Sequence, residues 1–248
     1  MEKLEKLIHY LAPDLELPQT KEEQEWALRA LMNIWEPKVM PAEFWTLQDT
    51  HLQEKLAQKN LTSLSDLQEV EPQIYLWQGD ITSLQVDAIV NAANSQLLGC
   101  FVPHHRCIDN AIHSQAGLQL RLACYQLMKA QGHLEATGQA KLTSAYNLPA
   151  NYVIHTVGPI IQAEVSPQDQ ALLASSYQKS LEVAVENGLT SIAFCCISTG
   201  EFRFPNQLAA EIAVKTVRDF VNKHPNIKVV FNIFKDLDLE IYQELLQR

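Results

Sequence analysis

The sequence predicts a three-layer α/β sandwich preceded by a helical N-terminal extension. Three observations carry this expectation. Apolar side chains recur at helical spacing through residues 1–70. From Ile74 onward, short β-branched runs alternate with longer amphipathic segments, the pattern of a sheet covered by helices. Finally, 47% of residues are hydrophobic and only 8 are Gly, which suits a packed globular chain rather than a disordered one.

Within the extension, Thr20-Lys21-Glu22-Glu23 reads as a capping box, with Thr at the cap and Glu three residues on. Trp26, Leu28, Leu31, Met32 and Trp35 follow at helical spacing, and Pro37 stops the run. Pro41 opens a second stretch that carries Phe44, Trp45, Leu52 and Leu56. Three of the 4 Trp precede residue 50, and they are expected to form the apolar face that docks this region on the remainder. The division of the chain falls near residue 70, giving a helical extension over 1–70 and an α/β domain over 71–248. Strands are predicted at Ile74–Trp77, Ala88–Val90, Ala140–Ser144, Tyr152–Thr156, Ile192–Ile197 and Lys228–Phe234. Helices are predicted at Ala111–Ala130, Pro167–Asn187 and Pro205–Lys223. Ser166-Pro167 places a cap and a first-turn proline at the start of the second, and Asn187-Gly188 ends it. In such sheets ligands gather at the carboxyl ends of the strands.

Charge and cysteine content narrow the function. Lys and Arg number 19 against 29 Asp and Glu, a formal charge of −10, so bulk attraction to a nucleic-acid backbone is absent. An anion would have to be held by local backbone N–H groups. No apolar run approaches the ~20 residues that span a bilayer, and the N-terminus has no signal-like apolar core. Neither nucleic acid nor membrane is an expected partner, and the expected location is the cytoplasm. With 5 Cys in a reducing compartment, metal binding or chemistry is a better reading than disulfides.

Three segments carry the functional signal. The first is Gly79-Asp80-Ile81-Thr82, followed by Val86-Asp87-Ala88-Ile89-Val90-Asn91-Ala92-Ala93-Asn94. The second runs from Leu98-Gly99-Cys100 through His104-His105-Arg106-Cys107-Ile108-Asp109-Asn110 into Ala111-Ile112-His113. The third is Ile197-Ser198-Thr199-Gly200-Glu201-Phe202-Arg203-Phe204-Pro205. With the later Tyr146–Pro159 segment, these ordered motifs resemble the macrodomain family in its MacroD-type branch, over about residues 74–248. The second loop departs from ordinary members of that branch, being longer and holding Cys100, His105 and Cys107. In this it is similar to a zinc-dependent subgroup encoded beside a lipoate-linked bacterial sirtuin, which the N-terminal helices also fit. The resemblance implies a macrodomain fold, an α/β/α sandwich with a mixed central sheet, and a zinc-dependent hydrolase that removes mono-ADP-ribose from protein. It also suggests a target: a lipoyl-carrier protein related to the glycine-cleavage H protein.

The residue types suit that chemistry. Two thiolates and one imidazole are good ligands for Zn²⁺, and three protein ligands leave a fourth tetrahedral position open, the catalytic arrangement. The structural alternatives are a closed zinc site with His104 or Cys124 as fourth ligand, or no metal; His105 is preferred to His104 because it matches the subgroup. Asp109 matches the family's catalytic aspartate and would act as general base or hold a water or ribose hydroxyl; its structural alternative is a helix N-cap. Asn94 is expected on the distal ribose, or else holding the turn after its strand. Asp80 and Ile81 are implied for the adenine, although Gly-Asp is also ordinary turn chemistry. Ser198, Thr199, Gly200, Glu201 and Phe202 are expected to cradle the diphosphate through backbone N–H groups, with Cys107 and Ile108 also against the ligand. The Glu201 side chain is expected to point away from the phosphates. Phe202 and Arg203 depart from the family pattern, and Arg203 is placed either to cover the diphosphate or to meet the target protein. Phe234 stacks on adenine or packs in the core. His113, His155, Cys195 and Cys196 read as core groups. Two further readings use the same cleft: a non-catalytic ADP-ribose reader, and deacetylation of O-acetyl-ADP-ribose.

Overall fold

The computed structural model describes residues 2–247. Its centre is a seven-stranded sheet in the order β2-β3-β9-β8-β5-β7-β6. These strands are β2 (Glu69–Glu71), β3 (Ile74–Gln78), β5 (Ala88–Ala92), β6 (Ala140–Ser144), β7 (Tyr152–Thr156), β8 (Ser191–Phe194) and β9 (Lys228–Ile233). The two edge strands, β2 and β6, run antiparallel to their neighbours, while the five inner strands are mutually parallel. The expected mixed sheet is present. Its inner strands are near-continuous apolar runs, as burial on both faces requires: Ala88, Ile89 and Val90 of β5 and Val229, Val230 and Phe231 of β9 are all buried. A short parallel pair, β1 (Thr62–Ser63) with β4 (Leu84–Gln85), lies outside the main sheet.

Helices α6 (Pro167–Glu186), α7 (Asn206–Val221) and α8 (Asp236–Leu246) pack on one another and on the sheet; α4 (Ile108–Ala116) and α5 (Leu118–Gln131) form the other layer. Helix α6 starts as its sequence indicates, with a Ser166–Asp169 capping box and Pro167 in the first turn. On α7, Arg218 reaches Glu71 with a two-pronged ion pair that ties down edge strand β2.

The extension forms α1 (Lys3–Leu11), α2 (Lys21–Ile34) and α3 (Ala42–Leu56). They share a second apolar cluster of Leu7, Ile8, Leu28, Phe44 and Leu52, joined from the main domain by Leu118. Full burial of a side chain such as Phe44 contributes about 2–3 kcal/mol. The Thr20 capping box opens α2.

Several expectations are corrected. The helix expected over 111–130 is two, parted at Gly117, whose φ of 96° and ψ of 172° no helix tolerates. The strand expected to reach Ile197 ends at Phe194, after which the chain bends into the site. The last α-helix in the first 70 residues ends at Leu56, with only a 3-10 turn at Leu64–Asp66 after it, and α8 has no counterpart in the sequence reading. Trp26, although 63% exposed, docks on the α/β domain through a ring stack with His104, while Trp35 and Trp45 pack against the extension's own apolar cluster.

Because the inner strands are parallel, their carboxyl ends share one edge. Asp80 follows β3, Phe234 follows β9, Ser198 follows β8, Asn94 follows β5 and Gly158 follows β7. The motifs read from sequence thus converge at the edge where open α/β sheets bind ligands.

Candidate functional site

At the centre of this edge lies Asp109, buried in the first turn of α4. It does not cap the helix. Cys107 does, its Sγ accepting from Asn110 N at 3.4 Å, which frees the Asp109 carboxylate to face the sheet. There Asn91 donates Nδ2 to Asp109 Oδ1 at 2.8 Å, and Asn94 donates Nδ2 to Oδ2 at 3.4 Å. Asn94 also fulfils its structural alternative, since its Oδ1 accepts from Gln96 N and its Nδ2 donates to Gly99 O. Burial pushes the Asp109 carboxyl up to about 6, against the Asn91 hydrogen bond and the Arg121 charge, which hold it down.

Behind Asp109 sits a buried polar network in which Asn91 Oδ1 and both His113 ring nitrogens lack a hydrogen-bond partner. Asn91 Nδ2 lies 3.2 Å from His155 Nδ1, and His155 Nε2 lies 2.9 Å from Thr143 Oγ1. His113 Nε2 is 3.5 Å from Asp109 Oδ1. His113, Cys124 and His155 bring ligand-type atoms within 4.8 Å of one another. Both nitrogens of His155 are already engaged, as expected of a satisfied core histidine, whereas both ring nitrogens of the buried His113 lack a hydrogen-bond partner, contrary to that expectation. Cys195 is buried as well, and Cys196 partly so.

The loop entering α4 holds the second cluster. The ligand atoms of Cys100, His105 and Cys107 lie within 4.8 Å of one another, with Cys100 Sγ 3.5 Å from His105 Nδ1. Three soft donors converging at this range fit a tetrahedral zinc with one open position. Burial, then the neighbouring Cys100 and Asp109, push the Cys107 thiol up, against the Asn110 N–H that holds it down. Neither rival ligand joins them. Cys124 is buried beside His155, and His104 turns away to stack under Trp26, the ring centroids 3.4 Å apart and the planes 8° from parallel. The loop passes close over His113 because Gly99 has φ +82°; a Cβ there would lie 2.8 Å from the imidazole.

Across the cleft, residues 198–204 form a tight loop between β8 and α7. Ser198 and Arg203 adopt φ of 66° and 58°. Phe204 N donates to Ser198 O, and Arg203 N to Gly200 O. Among the described residues, no protein acceptor takes the N–H groups of Gly200, Glu201 or Phe202, and such donors suit an anionic ligand. Gly158 lets β7's loop approach; a Cβ there would fall 2.0 Å from Ser198 Oγ. The Glu201 side chain turns toward the loop that enters α4, with Oε1 3.6 Å from His105 Nε2. Arg203 is exposed, with no ion pair among the described residues.

At the far rim, Gly79 N donates to Ile233 O, which sets Asp80 beside Phe234. Phe234 is 78% exposed, so the core reading is overturned. Ile81 is buried and Ile108 partly so. Asp80 plays its turn role, Oδ1 accepting from Thr82 N at 2.9 Å. Its Oδ2 takes Lys59 Nζ at 3.0 Å, a partner the sequence reading missed. Burial works to raise the Asp80 carboxyl, but Thr82 and Lys59 outweigh it and leave the carboxyl below its usual range.

Sequence reasoning also missed Asn91 and Arg121. Asn91 was legible as a lone polar side chain inside an apolar strand. Arg121 is buried and donates Nε to Leu98 O at 2.7 Å, anchoring the start of the loop that carries Cys100, His105 and Cys107, and Nη1 to Met32 O and Trp35 O.

Comparison with known proteins agrees with this arrangement. The family model described as Macro domain matches residues 90–213. A Treponema medium protein named protein-ADP-ribose hydrolase is 50% identical over 251 residues, 97% of this chain and 96% of the relative. A Staphylococcus aureus protein of the same name is 47% identical, over 91% of this chain and 86% of the relative. Among solved structures, the Trypanosoma brucei macrodomain in complex with ADP-ribose superposes with TM-score 0.68 at 30% identity, covering 88% of this chain and 94% of the other. A variant of the Oceanobacillus iheyensis macrodomain with ADPR gives TM-score 0.66 at 36% identity, covering 73% and 96%. Sheet order, convergent loops and these likenesses agree: the chain belongs to the macro domain family.

Proposed function

We propose that this protein hydrolyses the bond between ADP-ribose and a modified protein side chain, and that a zinc ion held by Cys100, His105 and Cys107 takes part. One observation carries the reading: three metal-type ligand atoms within 4.8 Å of one another stand in the loop that ends on the buried carboxylate of Asp109. The relatives named protein-ADP-ribose hydrolase support the activity, and the donor set supports the metal.

In this reading Asp80, Ile81 and Phe234 take the adenine, and the N–H groups of residues 198–202 take the diphosphate, fixing the distal ribose between Asn94 and Asp109. Zinc, when bound, would supply Lewis-acid polarisation of an oxygen at the sugar end. Asn91 and Asn94 hold the Asp109 carboxylate for proton transfer as the C1″ bond breaks. The similarity to the sirtuin-linked subgroup makes an ADP-ribosylated lipoyl-carrier protein the first substrate to try, in the cytoplasm.

The test is release of ADP-ribose from modified protein, with and without a chelator. Cys107→Ala and Asp109→Ala are each expected to lower turnover by orders of magnitude, as loss of transition-state stabilisation does. Chelator-insensitive release would remove the metal from the account. Binding of ADP-ribose without any release would make the protein a reader, and release of acetate alone from O-acetyl-ADP-ribose would change the substrate.

A further inference from the structure

We infer that helix α2 clamps the metal loop: Trp26 and Asn33 are positioning residues that hold His104 outward so that His105 faces Cys100. The inference rests on the zinc reading above and gives the N-terminal extension a function at the site.

Trp26 is 63% exposed, so burial does not account for its place. Its ring instead lies flat on His104 at 3.4 Å and 8°. His104 lies outside the cluster of Cys100, His105 and Cys107, and with both ring nitrogens buried and lacking a hydrogen-bond partner, the stack on Trp26 is the contact that holds this imidazole. The His104 backbone is held too: its N–H donates to Asn33 Oδ1 at 3.0 Å. His104 has φ +56°, a left-handed conformation that a non-glycine residue keeps only when its surroundings enforce it. Trp26 and Asn33 are those surroundings, and they lie two turns apart on one helix. The same face of α2 braces the loop's far end. Asn33 Nδ2 donates to Ser114 Oγ at 2.9 Å, and Arg29 Nη2 to Asn110 Oδ1 at 3.2 Å. Asn110 Nδ2 in turn donates to Val102 O at 3.0 Å.

The loop from Leu98 to Cys107 has no regular structure of its own. Left free, it would have to order itself whenever it bound a metal, and that entropy would weaken binding. Pinning His104 fixes the backbone on the N-terminal side of His105, leaving the next side chain aimed at Cys100, 3.5 Å away. Supporting contacts of this kind typically alter metal affinity 10–100-fold.

The experiment measures zinc affinity of the full-length protein by competition with a chromogenic chelator. Wild type, Trp26→Ala, Trp26→Phe and Asn33→Ala are compared, with thermal melting to confirm folding. Trp26→Ala and Asn33→Ala are expected to weaken zinc binding about tenfold or more. Trp26→Phe, which keeps a flat ring, is expected to restore most of the affinity. Turnover of Trp26→Ala should recover when zinc is raised, with the affinity for free ADP-ribose unchanged. If Trp26→Ala does not fold, Trp26→Leu keeps an apolar side chain without the parallel face and carries the same expectation. Folded Trp26 and Asn33 variants that bind zinc as tightly as wild type overturn the clamp and leave the zinc reading standing. A wild-type protein that binds no zinc overturns both.

Discussion

Asn91 sits on an apolar strand between two groups that need orienting. Its amide nitrogen serves the Asp109 carboxylate on one side and the buried His155 on the other. Asn91→Ala removes the shortest hydrogen bond to Asp109, and it is expected to lower kcat about 10–100-fold with little change in KM, read from steady-state release of ADP-ribose. The buried histidines carry a second prediction. Burial pushes His155 down to about 3 and His51 down to about 4, from 6.5. The unfolded chain therefore takes up protons below pH 6.5 that the folded chain refuses, so stability falls as pH drops from 6.5 toward those values. Each histidine is expected to cost about 1.4 kcal/mol per pH unit in that window. Urea titrations at pH 7 and pH 5 check it; equal midpoints would contradict it. At this scale the sequence showed which residue types meet but not their allegiances. His104 and His105 are chemically identical neighbours, and only the stack with Trp26, a contact 78 positions away, separates them. Asp109 has the composition of an N-cap, and only the backbone path gives that role to Cys107.

The elements were most legible where local chemistry dictates them. The capping boxes at Thr20 and Ser166 start helices as their sequences require, and the apolar runs of β5 and β9 are buried strands. Helix α8 was missed because it has no side-chain cap on Lys235 and spans only 11 residues after a strand. The break at Gly117 carried its own signal, since a glycine inside a long apolar period invites a left-handed turn. That break matters for the site: it ends α4, the helix that presents Asp109, and sets α5 so that Arg121 reaches Leu98. A Cβ at Gly117 would lie 2.7 Å from Gln48 Nε2, and its φ of 96° excludes ordinary side chains. Gly117→Ala is therefore expected to destabilise the fold by about 2–3 kcal/mol, seen as a lower Tm. An unchanged melting curve would show that the two helices can merge.

Over the whole molecule, two apolar cores meet at Leu118 and at the buried Arg121, which joins the end of α2 to the start of the metal loop. The fold class and the sheet's alternation were visible as pattern; the way the extension wraps the metal loop was not, because it depends on contacts between distant segments. The net charge of −10 is in keeping with the proposal that backbone N–H groups, rather than a basic surface, take the anionic ligand at the carboxyl edge of the parallel sheet. The family of the chain is shared by relatives over nearly its full length, extension included. Everything proposed about catalysis turns on what Cys100, His105 and Cys107 enclose. The most direct test is anomalous diffraction from a crystal of the full-length protein, recorded on both sides of the zinc absorption edge. The account predicts a single peak between the two sulfurs and the His105 nitrogen, appearing only above the edge. A map with no peak there, and the three side chains turned apart, would contradict it.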